Sequence, residues 1–411
     1  MDTHTLTPVK KRYVVLDALR GFAIFGIILA NFPEFSLWTF QSAAQQAAMP
    51  SAGIDTVVRW LQAFFVDGKF YTLFSLLFGI GFSIILSNAR DKGRNGLRIF
   101  CRRMTVLLLI GLGHMMLLWS GDILLLYALT GLVMVLFRNL SDRALLRWSA
   151  FFLLLPVAVE ALTESLGIVL SAPLTRMQWD WCGRFGITEE NFGVWLRDAG
   201  TYGGLSQFLV QGAFERMYEF VEGHRYFKVL GLFLLGYWVG RNRLYAEPEA
   251  HRGLLRKVLA WGLCIGIPVS LLQTWHTMAG GPWGRTAAAA LYAAGVFPMG
   301  LAYAAGFCLL YLRCENAAVW KVLAFPGRMA CTNYLGQSVI GVLLFYGVGL
   351  GLGASVGLAA TELIAAGVFL FQTGCSALWL QFFKFGPVEW IWRMLTYGKY
   401  LPMRRSAAQQ A

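Results

Sequence analysis

Charged residues are scarce in this sequence. The 411 residues include 22 Asp and Glu and 35 Lys and Arg, so only 14% are charged, while 57% are hydrophobic. Soluble domains carry roughly 25% charged residues, which excludes an ordinary soluble protein. The formal net charge of +13 comes from short basic clusters between apolar runs, so we interpret it as a topology signal. No nucleic-acid partner is predicted.

Residues that build metal centres or disulfide frameworks are also few and scattered. The five histidines and seven cysteines contain no CxxC pair and no HExxH motif, and neither a P-loop nor a dinucleotide fingerprint is present. The sequence therefore predicts no metal site, no disulfide framework and no bound cofactor.

Long apolar runs are what the chain has instead. A hydrocarbon core about 30 Å thick needs about 20 apolar residues per helix, which predicts an all-α transmembrane bundle of about ten spans. The predicted spans are residues 16–40, 69–87, 104–119, 122–137, 148–170, 226–240, 257–275, 291–312, 322–345 and 358–380.

The loop charges support an even number of spans. Basic clusters recur in every second connection, as expected for cytoplasmic loops, so both termini are predicted to be cytoplasmic. Residues 1–411 then form a single integral membrane domain. Within it, residues 171–225 are predicted to form an external loop or small cap between the fifth and sixth helices.

The stretch GHMMLLWSGDILLLYA, residues 113–128, places a histidine and an aspartate among apolar residues. At 1.5 Å per residue, His114 lies about 16 Å beyond Arg103, a little past the middle of the membrane. An ionisable group at that depth indicates a functional site, although a neutral imidazole bonded to a neighbouring helix is an equally simple explanation. Asp122 and Asp67 are candidates to orient the imidazole, and each also has the position of a helix N-cap.

The first helix carries a second polar group. Asp17 and Arg20 lie one turn apart on one face, which predicts either an ion pair that fixes the helix or a site for an anionic ligand. Asn31 lies at the predicted depth of His114. It is expected either to share a cavity with His114 or to bridge two helices.

Two further groups of polar or basic residues each allow two explanations, one structural and one functional. Arg328, Thr332, Asn333 and Gln337 form a polar stripe at helical spacing, which predicts either a packed interface, the favoured interpretation, or a pathway. The inner loop that includes Arg98, Arg102 and Arg103 is expected either to hold phosphates or to be ordinary topology charge near anionic lipid.

Five stretches taken together resemble the YeiB family of bacterial inner-membrane proteins, a family of unknown function. They are LDALRGFAIFGIILAN, DGKFYTLFSLLFGIGF, GHMMLLWSGDILLLYALTG, KVLGLFLLGYWVGR and GRMACTNYLGQSVI, and the resemblance runs from about residue 12 to residue 399. It implies a multi-pass protein of the bacterial inner membrane.

The YeiB family is grouped with transmembrane acyltransferases such as heparan-alpha-glucosaminide N-acetyltransferase. By this resemblance Asp17, Arg20, Gly21 and Asn31 match the first-helix motif of the group. The acetyltransferase carries its catalytic histidine after the first helix, whereas the corresponding segment here, FPEFSLWTFQSAAQQ, contains none. The resemblance therefore implies either that His114 has taken that role or that the fold is kept without acyl transfer.

The leading hypothesis is an acyltransferase that uses acyl-CoA as a co-substrate. His114 would deprotonate the acceptor, a small molecule or an envelope glycan or lipid, while Asp122 or Asp67 orients the ring and Asn31 donates to the oxyanion. The alternative is a transporter or flippase of a lipid-linked or small anionic substrate that uses the polar stripe. A scaffold for envelope proteins is a third hypothesis, and a homo-oligomer is left open.

Overall fold

A computed structural model describes residues 13–405. Both chain termini, which were predicted to be cytoplasmic, lie outside the described residues. So does the first basic cluster, Lys10, Lys11 and Arg12. The described part is helical, apart from an isolated β-bridge between Phe383 and Arg404. Its helices are α1 Val14–Phe35, α2 Ala43–Ala47, α3 Ala52–Phe65, α4 Lys69–Arg90, α5 Gly96–Leu117, α6 Leu124–Met134, α7 Asp142–Ser165, α8 Ala172–Arg184, α9 Phe192–Asp198, α10 Tyr202–Glu222, α11 Arg225–Arg241, α12 Arg252–Met278, α13 Gly284–Arg313, α14 Ala318–Arg328, α15 Ala330–Phe345, α16 Leu358–Phe382 and α17 Pro387–Tyr397.

Seven of the helical segments in the described part are long and apolar enough to cross a membrane. They are Val14–Phe35, Ala52–Arg90, Gly96–Leu117, Asp142–Ser165, Arg252–Met278, Gly284–Arg313 and Leu358–Phe382. The chain is therefore a membrane protein with a helical fold. Three predicted spans, residues 122–137, 226–240 and 322–345, fall on shorter helices, so the count of ten remains a prediction.

The ninth predicted span is two helices, which corrects the prediction of one continuous polar stripe. Helix α14 contains Pro326 in its last turn and ends at Arg328, and α15 begins at Ala330. Proline removes a backbone donor and clashes with the preceding turn, while the Glu389 carboxylate accepts from the backbone N–H groups of Cys331 at 2.7 Å and Thr332 at 3.0 Å. Arg328 and Thr332 therefore belong to different helices.

Two other boundaries differ from the predictions. Helix α1 ends at Phe35, five residues before the predicted end of the first span, and helices α2 and α3 follow where the sequence indicated only a connection. Residues 171–225, predicted as an external loop or cap, contain the three helices α8, α9 and α10.

Close backbone contact fixes α1 within the bundle. A Cβ atom on Gly21 would lie 1.9 Å from the Leu323 carbonyl oxygen, and one on Gly327 would lie 1.8 Å from the Asp17 carbonyl oxygen. Small residues allow helix backbones to approach in this way in membrane proteins. Helix α14 is thus held against the first half of α1, and α15 continues along the second half, where Phe32 packs edge-on against Phe345.

Candidate active site

A buried serine, histidine and aspartate lie in one hydrogen-bonded row. His114 Nδ1 is 2.7 Å from Asp122 Oδ2, and His114 Nε2 is 2.8 Å from Ser338 Oγ. The exposed fractions of the three residues are 4% for His114, 0% for Asp122 and 1% for Ser338. Helix α5 thus supplies the central histidine of a buried triad and α15 supplies the serine, 224 residues farther along the chain.

The turn between α5 and α6 places Asp122 beside His114. Gly111, one turn before His114, allows the close approach, because a Cβ atom there would lie 2.6 Å from the Leu125 nitrogen. Asp122 Oδ1 accepts from the Leu125 N–H at 2.7 Å. Asp122 lies one residue before the N-cap position of α6, Ile123, so its Oδ1 caps the first turn of α6 through Leu125 while its Oδ2 bonds the imidazole.

The hydrogen-bond pattern fixes the direction of each donor when the imidazole is neutral. An ionised carboxylate only accepts, so Nδ1 carries the hydrogen toward Asp122 and Nε2 carries the lone pair. The Ser338 hydroxyl then donates to Nε2. This is the arrangement of an activated hydroxyl nucleophile, a base and a group that orients the base.

Two aromatic rings enclose the imidazole. The ring centroid of Tyr334 lies 5.3 Å from that of His114, and the ring centroid of Trp119 lies 6.0 Å away. The Tyr334 hydroxyl oxygen accepts from the Ile123 N–H at 3.3 Å, which ties α15 to the start of α6. These rings exclude water and strengthen the electrostatic interactions inside the site.

Trp119 also borders a cavity of about 20 Å³, whose lining includes Ser120, Glu34, Arg216 and Glu219. A space of this size holds about one water molecule. Arg216 Nη2 donates to Glu34 at 3.1 Å and its Nε donates to the Ser120 carbonyl at 3.2 Å. The guanidinium thereby connects α10 to the end of α1 and to the turn that carries Asp122.

Glu215 on α10 lines the same cavity. Burial raises the pKa of its carboxyl to about 8, and the negative charges of Glu219 and Glu34 add to the effect. Glu215 is therefore predominantly protonated at neutral pH, so the cavity combines neutral and charged carboxyl groups.

Asp67 and Asn31 do not contact the imidazole through a hydrogen bond, since Asp122 and Ser338 occupy both ring nitrogens. Asp67 instead accepts from Arg59 at 2.8 Å, so the suggestion that it orients His114 is wrong. Asn31 is half-buried on α1, one turn before Phe35, whose ring lies 4.2 Å from that of Trp119.

The inner basic residues form a separate group. Arg20 is paired with Asp17 at 2.9 Å, which is the first of the two alternatives that the sequence left open. The Arg103 guanidinium lies 3.7 Å from the ring centroid of Trp392 and interacts electrostatically with Arg393 and Arg20.

Two other residues of the predicted phosphate-binding loop bond to the protein itself. Arg102 donates to the Leu395 carbonyl at 3.1 Å. The backbone N–H of Arg98 donates to Asn95, which caps α5. All three residues, Arg98, Arg102 and Arg103, lie in the first turns of α5 and not in a loop.

The polar stripe pairs α15 with α16. Asn333 Nδ2 donates to Ser376 Oγ at 3.0 Å, Gln337 Nε2 donates to Gln372 Oε1 at 3.2 Å, and Gln372 Nε2 donates to the Asn333 carbonyl at 3.1 Å. Thr332 Oγ1 donates to Glu389 on α17 at 2.5 Å. Thr332, Asn333 and Gln337 thus contribute to packed interfaces.

Ser338 was not singled out from the sequence. The only signal was its place in GRMACTNYLGQS, one residue after Gln337, and nothing in one chain links it to a histidine on α5. The sequence does contain a GxSxG spacing at residues 353–357, GASVG, but Ser355 is exposed and its hydroxyl donates to the Leu352 carbonyl at 2.8 Å. No strand precedes it, so it is not the strained turn of a nucleophile elbow.

The fold and this site define a polytopic helical membrane protein with a buried Ser-His-Asp row. The family model for "Protein of unknown function (DUF418)" matches residues 239–399. The chain is 31% identical to the uncharacterized protein YxaH of Bacillus subtilis, over 97% of this chain and 98% of that protein. It is 30% identical to the uncharacterized protein YeiB of Escherichia coli, over 94% of this chain and 96% of that protein.

A third relative, an uncharacterized 39.9 kDa protein of Bacillus acidopullulyticus, is 29% identical over 96% of both chains. This chain therefore belongs to the YeiB-like DUF418 family, as the sequence resemblance predicted. The match to YxaH and YeiB covers nearly the full length, so it includes the segments that carry His114, Asp122 and Ser338.

Proposed function

We propose that this protein is a membrane acyltransferase of the bacterial inner membrane, in which His114 is the general base. The observation that carries the proposal is the row Asp122–His114–Ser338. The 2.7 Å contact with Asp122 fixes the ring and leaves the lone pair of Nε2 directed at a hydroxyl group. A base in that arrangement removes a proton from a hydroxyl or amine that attacks an acyl carbon.

The donor proposed is an acyl-CoA-type thioester bound at the inner basic group. Arg103 interacts electrostatically with Arg393 and with Arg20, and the Arg20 guanidinium is paired with Asp17. Guanidinium groups bind phosphates in bidentate geometry. The Trp392 ring under Arg103 adds an aromatic surface beside them.

The acceptor proposed is a small molecule or an envelope glycan or lipid that attacks through a hydroxyl or amine group. The small cavity beside Trp119 places carboxyl groups, a guanidinium and aromatic rings next to the triad, and groups of these kinds bind hydroxyls and amines. Asn31, near Phe35 on the same side of α1, is the proposed donor to the oxyanion. A homo-oligomer is compatible with this scheme and is not required by it.

A transporter that uses the polar stripe has less support. The Asn333 and Gln337 side chains bond to Ser376 and Gln372 on α16, and the Gln372 amide donates to the Asn333 backbone carbonyl, as expected for helix packing. A pathway needs polar groups that are available to a substrate.

The donor step is tested by calorimetric titration of acetyl-CoA into the purified full-length protein in mild detergent. We expect saturable binding to the wild type and to His114→Ala, and weaker binding to a variant that combines Arg103→Ala and Arg393→Ala. Arg147→Ala, which removes an exposed basic residue of α7, is the matched control and should bind as the wild type does. Absence of binding at millimolar acetyl-CoA would refute a CoA donor, and equal binding by all variants would refute its location.

A further inference from the structure

We infer that Ser338 is a covalent carrier that holds the acyl group as an ester between donor and acceptor. The inference rests on the proposed acyl transfer and adds a nucleophile to it. The geometry that carries it is the 2.8 Å contact between Ser338 Oγ and His114 Nε2.

The partner of Ser338 distinguishes it from other buried serines. Ser75 shares its hydrogen bond with the Tyr127 phenol at 2.6 Å, Ser149 donates to the Gly231 carbonyl at 2.8 Å, and Ser376 pairs with the Asn333 amide at 3.0 Å. Those partners are neutral groups with no capacity to take the hydroxyl proton near pH 7. Ser338 faces an imidazole whose other nitrogen is held by a carboxylate, and an imidazole in that arrangement acts as a general base.

Occupancy of Nε2 favours Ser338 over direct attack by the acceptor. An acceptor hydroxyl that used the lone pair of Nε2 in the first step would have to displace the Ser338 hydroxyl from it. Ser338 is already in place and is only 1% exposed. An ester formed there would be shielded from hydrolysis until an acceptor enters.

Helix α15 joins the donor group to the nucleophile. Cys331 interacts electrostatically with Arg103, and Ser338 lies seven residues farther along α15, a rise of about 10 Å on nearly the same helix face. A CoA whose phosphates lie near Arg103 would extend its pantetheine arm along this face, with the thioester toward Ser338.

The reaction balances in two steps. In the first, Ser338 Oγ attacks the thioester carbonyl carbon, its proton passes to His114 Nε2, the C–S bond breaks, and the leaving sulfur takes that proton as a free thiol. In the second, an acceptor hydroxyl or amine attacks the ester carbon, its proton passes to Nε2, the ester C–O bond breaks, and Ser338 Oγ recovers the proton. Asp122 keeps its charge and stabilises the imidazolium in both steps, and no oxidant or reductant is consumed.

The test uses the full-length protein in detergent and two reagents that need no acceptor, ¹⁴C-acetyl-CoA and a lipophilic fluorophosphonate. Acid-quenched samples are digested and the labelled peptide is identified by mass spectrometry. We expect both labels on Ser338 in the wild type and at least about a hundred-fold less with His114→Ala, since general bases contribute that much or more. Ser75→Ala and Ser376→Ala remove equally buried hydroxyls away from the imidazole and should label as the wild type does.

Ser338→Ala removes the nucleophile, but loss of folding would also abolish labelling. Ser338→Cys is therefore tested beside it. A thiol at this position should form a thioester that neutral hydroxylamine cleaves, whereas the wild-type ester resists it. Transfer of label to envelope lipids and glycans is measured in parallel in membrane vesicles. Wild-type transfer by Ser338→Ala, or label on another residue, would overturn the inference while acyl transfer stands. If the wild type shows no label and no transfer, both the covalent carrier and the proposed acyl transfer are overturned.

Discussion

Helix α15 carries two sets of buried polar side chains that differ in kind. Toward α16, Asn333 and Gln337 pair with Ser376 and Gln372 through neutral hydrogen bonds. Toward α5, Ser338 meets an imidazole backed by the Asp122 carboxylate. Both sets are buried, and buried polar groups are usually hydrogen-bonded within the protein.

The difference lies in the cost of burial. A neutral amide pair between helices contributes about 0.6 kcal/mol on average in membranes and is a normal means of packing. An ionised carboxylate is far more expensive to bury and is retained where it serves a function. The neutral set of hydrogen bonds therefore explains how α15 is held against α16. The charged set indicates that α15 carries the candidate catalytic serine on its side toward α5.

The largest effect is expected from Asp122→Asn. The amide oxygen can still accept from the Leu125 N–H, so the cap of α6 is kept, but the negative charge that orients and stabilises the imidazolium is lost. Transfer should fall by about 10² to 10⁴, the range typical of general base catalysis, with little change in thermal stability. The rate of label transfer in vesicles and the melting temperature in detergent measure the two effects. A variant with full activity would remove the distinction between the two sets.

Asp122→Ala sharpens the same prediction, because it removes the charge and the cap together. Loss of an N-cap costs roughly 0.5–2 kcal/mol, so this variant should be both inactive and less stable than Asp122→Asn. Equal melting temperatures for the two variants would contradict the capping contact with Leu125.

Tyr334→Phe should have an intermediate effect. The ring against His114 is kept, but the Ile123 N–H loses its acceptor, and a buried donor without a partner costs about 1–3 kcal/mol. We expect a lower melting temperature and a reduction in transfer of less than about ten-fold, well short of the loss from removing a general base. A loss as large as that of Asp122→Asn would instead place the phenol itself in the chemistry.

Substitutions in the neutral set should have almost no effect on acyl transfer. Gln337→Leu and Gln372→Leu, alone and together, form a double-mutant cycle whose coupling energy should be about 0.6 kcal/mol. Label transfer should stay within a factor of two or so of wild type, because neither side chain reaches the imidazole. Loss of transfer together with altered substrate flux across vesicles would revive the transport hypothesis.

The smallest effect concerns the cavity beside Trp119. The Glu215 pKa of about 8 lies above the unfolded value near 4.3, so the folded protein binds the extra proton between these values. The free energy of unfolding should therefore fall as pH rises from about 4.3 through about 8 and then level off. Melting temperatures across this range should depend less on pH in Glu215→Gln, and an unchanged slope would contradict the burial of this carboxyl.

Much of the fold could be predicted from the sequence, because hydropathy and loop charge act locally along the chain. Seven of the ten predicted spans fall on long apolar helices, and the helical spacing of Asp17 and Arg20 indicated an ion pair as one of two alternatives. The break at Met329 was missed because the Glu389 carboxylate that caps α15 comes from a helix 57 residues away.

The site could be predicted only in part for the same reason. His114 was conspicuous as an ionisable residue in an apolar run, and Asp122 lies eight residues away, within one hairpin. Ser338 comes from a helix 224 residues away, and one chain does not tell which helices become neighbours. Asp67 was misassigned because its sequence position resembles that of Asp122, whereas its partner is Arg59.

The measurement that tests acyl transfer at this site most directly is label transfer in inside-out membrane vesicles. Vesicles with wild-type protein or His114→Ala, at matched protein levels, receive ¹⁴C-acetyl-CoA on the exposed cytoplasmic side, and the label in extracted lipid and glycan is followed with time. We predict steady accumulation with the wild type and only background with His114→Ala. Equal accumulation with both proteins would contradict a catalytic role for the buried imidazole.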